Sequence, residues 1–81
     1  MNITVKLFAA YQEAYGLPEL NLKLSQTKTV KAVLEDLIAE HPELKKWQDV
    51  TRFGVNFHFV DPDTLLKDGD ELVLIPPVSG G

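Results

Sequence analysis

The sequence predicts an α+β domain in which one main helix packs across one face of a mixed sheet. Three observations predict it. The segments ITVKLF (3–8) and ELNLKL (19–24) alternate in hydropathy, and ELVLIP (71–76) is apolar on both parities, so strands stand near both ends of the chain. Only one stretch, beginning after Thr29, repeats its apolar residues at spacings of three and four. No linker, repeat or low-complexity tract divides the 81 residues, so a single modest core has to serve the whole chain.

The elements follow in order. In the first strand Ile3, Val5 and Leu7 share one face; Thr4, Lys6 and Phe8 share the other, which makes Phe8 an aromatic on the wet side. AAYQEAYG (9–16) carries helix formers closed by Gly16, a short helix with a C-terminal glycine. The second strand points Leu20, Leu22 and Leu24 inward and pairs with the first as a hairpin around that helical turn. Thr29 is a good N-cap for a helix whose Val30, Val33, Leu34, Leu37 and Ile38 form the buried stripe, and His41-Pro42 ends it. HPELKKW (41–47) reads as a turn whose Leu44 and Trp47 cover the edge of the core. TRFGVN (51–56) and FHFV (57–60) read as short strands interrupted near Asn56, a residue tolerant of turn geometry. KDGDE (67–71) supplies a tight turn into the last strand, which Pro76 and Pro77 must end because they lack N–H donors.

Composition narrows the function. With 12 acids against 8 Lys and Arg the net charge is −4, and no basic cluster exceeds Lys45-Lys46, which argues against nucleic acid as a partner and for a protein with a basic cleft. The absence of cysteine excludes disulfides, zinc fingers and a thiol nucleophile. No apolar run approaches the roughly 18 to 20 residues of a membrane span, and the start reads as a strand with no cleavage site, so no membrane association and a cytoplasmic location are expected. The acids Asp61, Asp63, Asp68, Asp70 and Glu71 could suggest a calcium loop, but Leu65 stands where that motif needs an oxygen ligand; solvated turns and no metal are the expectation. His41, before a proline at a helix end, reads as a surface residue, and His58 lies in a short strand without an acid or nucleophile at motif spacing.

One main helix on a mixed sheet is the β-grasp, or ubiquitin-like, architecture. VNFHFVDPDTLLKDGDELVLIPPVSGG (55–81) resembles the C-terminal third of the small sulfur-carrying subunits of molybdopterin synthase, a ubiquitin-related family. LFAAYQEAYG (7–16) and TVKAVLEDL (29–37) resemble that family's first strand with its short helix and its main helix, so the resemblance runs over nearly the whole chain. Its most specific parts are Asn56, the Asp68-Gly69-Asp70 turn and PPVSGG, in this order. One departure is Gln12 before Glu13, where the family often carries an Arg.

The tail has a chemistry of its own. A carboxylate resists nucleophilic attack and has to be activated, for instance as a mixed anhydride with AMP. This chain has no phosphate-cradling glycine loop, so ATP would be bound by a separate adenylating enzyme and no cofactor by the chain itself. Gly80 and Gly81 lack side chains that would obstruct a narrow channel, and Pro76 and Pro77 would act as a semi-rigid spacer lifting the end off the sheet. The expected division is a β-grasp domain over residues 1–76 and a flexible tail over 77–81.

The resemblance implies that Gly81 is adenylated, converted to a thiocarboxylate and consumed as sulfur donor when molybdopterin synthase builds the molybdopterin dithiolene from cyclic pyranopterin monophosphate. It implies two partners, a ubiquitin-activating-enzyme-like adenylyltransferase and the large catalytic subunit in a heterotetramer, with no catalysis by the isolated chain. It also implies that Phe8, Phe59 and Ile75 form an apolar docking patch, with Pro76, Pro77 and Val78 leading to the reactive end. Two other readings use the same diglycine: a protein modifier joined through Gly81 to a lysine, and a carrier of another pathway, thiamine or tungsten cofactor. A binding module with an inert tail is a third.

Overall fold

The computed structural model describes residues 1–77. Five strands form one sheet in the order β2-β1-β5-β3-β4, with β1 at Asn2–Leu7, β2 at Glu19–Lys23, β3 at Arg52–Val55, β4 at His58–Val60 and β5 at Glu71–Ile75. The sheet is mixed: β5 lies parallel to β1 and antiparallel to β3, while β1–β2 and β3–β4 are antiparallel hairpins. The apolar β5 is the central strand of the five.

Two helices connect these strands. Helix α1, Ala10–Tyr15, ends in Gly16 at φ 69°, the left-handed geometry that glycine adopts without steric cost. Helix α2, Val30–Glu40, is capped by Thr29, whose hydroxyl oxygen accepts from the Ala32 amide at 3.0 Å. Its five apolar residues are all buried and meet Ile3, Val5, Leu7, Phe53, Leu72 and Leu74 in one core. Leu24 is buried, and Leu20 and Leu22 pack against the same core, as the alternation of β2 requires.

The segment after α2 departs from the expected turn. Pro42–Val50 is a nine-residue 3-10 helix, longer than such helices usually run. Its ends are tied into the body: Leu44 is buried, Trp47 packs partly against the core, and the Thr51 hydroxyl donates to the Trp47 carbonyl at 2.7 Å while hydrogen-bonding the buried Tyr11 hydroxyl. The Tyr11–Thr51 contact spans 40 positions, and the polar run ELKK gives no sign of it.

Asn56 owes its place to hydrogen bonding. With Phe57 it forms the two-residue turn of the β3–β4 hairpin, both at positive φ (49° and 72°), the pattern of a type I′ turn. Its side chain donates to Asp70 at 2.9 Å and accepts from the Glu71 amide at 3.0 Å, and its backbone amide donates to the Glu71 carbonyl. Asp68 in turn accepts from the Asn2 amide at 2.6 Å, and Gly69, at φ 85°, donates to the Asn2 carbonyl. Asn56 and Asp68-Gly69-Asp70 therefore clamp the starts of β1 and β5 to the hairpin. Asn56→Ala is expected to lower stability by about 1 to 2 kcal/mol, through the lost bonds and a positive φ that alanine tolerates poorly. Thermal melting checks it, and an unchanged melting temperature would show the clamp to be ornamental.

Candidate functional site

Helix α2 covers one face of the sheet, and the strand registers fix what stands on the other. One row across the open face reads Glu19, Lys6, Val73, Gly54, Phe59, and the next toward the C-terminal end of β5 pairs Ile75 with Arg52. Burial follows parity. Leu72 and Leu74 are fully buried on the helix side, while Val73 and Ile75 are only partly so.

The apolar residues of this face are conspicuous for an 81-residue chain. Phe59 is 73% exposed and Phe8 50%, so neither packs under a loop. Phe8 lies one step beyond the Leu7–Leu74 pair, which brings it alongside Ile75. Between Val73 and Phe59 stands Gly54, whose missing side chain leaves a low strip across the face. A charged border flanks the patch: Lys6 donates to Glu19, and that hydrogen bond together with the charge of Glu19 holds the ammonium above its ordinary value of 10.5.

At the end of β5 this face runs into a groove of about 560 Å³ lined by Phe8, Ala9, Ala10, Glu13, Trp47, Ile75, Pro76 and Pro77. Ala9 makes one wall possible. It holds φ 50° and ψ −122°, an uncommon conformation for a residue with a side chain, and the Tyr11 amide closes the turn onto the Phe8 carbonyl at 3.1 Å. The chain thus reverses immediately after Phe8 and sets it at the mouth of the groove where β5 leaves the sheet.

The structure brings Phe8, Ile75, Pro76 and Pro77 together in this groove, and places Phe59 on the same face two strands from β5. Pro76 corrects one expectation. It is buried in the body, so the two prolines do not both stand off as a spacer, and Pro77 is the first exposed residue after β5. Val78, Gly80 and Gly81 lie outside the described residues. Trp47 and Phe57 were missed. Trp47 reaches the groove only through the path of the 3-10 helix, and Phe57, 91% exposed, stands in a turn at positive φ where the pattern FHFV reads as strand.

The acidic loops serve the backbone. Asp61 accepts from the Asp63 amide and the Thr64 hydroxyl, and among the described residues no cluster of three His, Cys, Asp or Glu could hold a metal ion. No helix among them is long and apolar enough to cross a membrane.

A profile of the ThiS family matches residues 5–81. The chain belongs to the ThiS family. Its fold is accordingly the β-grasp, seen in solved relatives of high similarity: the crystal structure of the small archaeal modifier SAMP1 from Haloferax volcanii superposes with a TM-score of 0.81 at 29% identity, covering 100% of both chains. Among curated relatives, a molybdopterin synthase sulfur carrier subunit of Chlamydomonas reinhardtii is 37% identical over 83 residues, again covering 100% of both chains. A chain in the protein–protein complex of subunits 1 and 2 of the molybdopterin-converting factor from Helicobacter pylori 26695 matches with a TM-score of 0.66 at 33% identity over 100% of each chain. This ThiS-family chain thus has both carriers and modifiers among its relatives.

Proposed function

We propose that this protein is the sulfur carrier of molybdopterin synthase, acting as subunit and co-substrate. The end-to-end match to a curated sulfur carrier subunit carries the reading, and the open face supports it: an apolar patch lies beside the strand that feeds the diglycine. Activation begins when an oxygen of the Gly81 carboxylate attacks the α-phosphate of ATP in a partner adenylyltransferase and pyrophosphate leaves. A hydrosulfide equivalent then displaces AMP, leaving a carbon–sulfur bond at Gly81.

Within the synthase the thiocarboxylate sulfur bonds to a side-chain carbon of the pterin precursor as a carbon–oxygen bond there breaks, and water then cleaves the Gly81 carbonyl–sulfur bond, which restores the carboxylate and leaves the sulfur on the pterin. Each carrier delivers one sulfur and a dithiolene holds two, so two carriers serve each product. This chain's own contribution is presentation. Its rigid sheet holds β5, the groove grips a partner beside Pro77, and glycines at 80 and 81 admit the end to a narrow active site. Reconstitution with the adenylyltransferase and ATP is expected to give pyrophosphate release that requires Gly81; release from the carrier alone would contradict the proposal.

The likeness to SAMP1 favours a second reading, a modifier that transfers activated Gly81 to lysines. The two part at the second step. A carrier accumulates the thiocarboxylate; a modifier accumulates adducts on other proteins.

A further inference from the structure

The most exposed large apolar residue among those described is Phe57, at 91%, and it occupies the second turn position of a type I′ hairpin at φ 72°. Glycine is the favoured residue there, and a bulky side chain at positive φ is strained. A strained and solvated aromatic gains nothing for the fold. Neither is the turn loose: Asn56 beside it is held by Asp70 and Glu71 through three hydrogen bonds, so Phe57 is presented on a fixed support.

Its position sets the partner. Arg52 pairs with Ile75 and Val55 with Leu72, so the hairpin tip lies at the Glu71 end of β5, roughly 13 Å along the strand from the exit of the tail. The open face itself measures roughly 20 Å by 16 Å, whereas a stable protein partner covers about 800 Å² of each surface. A partner of that kind, seated on Phe8 and Ile75 at the tail exit, spans the whole face past Phe59 and over the hairpin tip. An encounter confined to the tail exit leaves the hairpin tip uncovered.

Resting on the sulfur-carrier reading, we infer that Phe57 is a second anchor for the large synthase subunit, distinct from the patch beside the tail. The subunit surface facing it is an apolar or aromatic pocket at the far end of its contact with β5, and the strain at Phe57 is tolerated because the aromatic is needed there.

Phe57→Gly separates binding from folding, because it relieves the turn while removing the anchor. The melting temperature is expected to rise, and affinity for the large subunit, measured by calorimetry on the full-length proteins, to fall by about tenfold or more. Phe57→Leu, which keeps an apolar side chain, should recover part of the loss. Affinity for the adenylyltransferase should fall less. Unchanged affinity of Phe57→Gly for a large subunit that binds the unsubstituted chain would overturn the anchor alone. An equal loss toward both partners, or a lower melting temperature, would also overturn it. Failure of the unsubstituted chain to bind the large subunit would instead remove the carrier reading on which the anchor rests.

Discussion

Deleting Gly81, or adding residues after it, is expected to abolish molybdopterin formation and leave the melting temperature where it was. The chemistry requires the first half. On the proposed carrier reading, an amide-capped glycine has no carboxylate to adenylate, and a chain shortened by one residue would present its carboxylate about 3.5 Å short of the reacting phosphate, a misplacement that costs orders of magnitude in rate. The core requires the second half. Among the described residues every buried apolar side chain of the core cluster lies between Ile3 and Leu74, with Pro76 buried just after β5, so residue 81 is five positions removed from the last of them. Molybdopterin formation and melting should be measured on the same preparations. Normal activity in the extended protein would sink the carrier mechanism.

Placing a carboxylate in the apolar patch is the next most damaging change. Phe59→Asp is expected to weaken binding to the large subunit by about 2 kcal/mol or more, since an aromatic at an interface centre contributes most and a buried unpaired charge replaces it. Folding should hardly notice, because Phe59 is 73% exposed and its cross-strand neighbour Gly54 offers no side chain to pack against. Ile75→Asp tests the same surface nearer the tail, where partial burial beside Phe8 predicts some loss of stability as well. Calorimetric affinity and melting temperature distinguish the two contributions. A collapsed melting temperature for Phe59→Asp would mean that this side chain belongs to the core and that the faces are reversed.

Much of this surface is legible in the sequence because a strand has period two. Once β5 is bounded by Asp70 and Pro76, parity alone puts Leu72 and Leu74 under the helix and Val73 and Ile75 on the open side, and the same rule puts Phe8 with Thr4 and Lys6. The capped helix and the Gly16 terminus are local signals and come through equally well. Other features depend on residues far apart in the chain. Asn56 is readable as a turn residue, yet its bonds to Asp70 and Glu71 reach across 14 and 15 positions. Pro42–Val50 carries four charged residues in nine, which suits a surface turn, and tertiary contacts through Leu44, Trp47, Tyr11 and Thr51 tie it to the body as a 3-10 helix. Pro76 is buried for a similar reason: a donor-free residue ends a strand wherever it stands, but whether neighbours then cover it is a tertiary matter. Phe57 breaks the local rule for its turn, and the sequence alone gives no sign that Asn56-Phe57 adopts glycine-like geometry.

Sulfur carried on Gly81 would be read directly in the intact mass of the protein purified from cells that are making molybdenum cofactor. A second species is expected, heavier by one oxygen exchanged for sulfur, located at Gly81 by fragmentation and absent when the adenylyltransferase is deleted. A single unmodified mass under those conditions, or diglycine adducts on lysines of other proteins with no sulfur-bearing form, would contradict it.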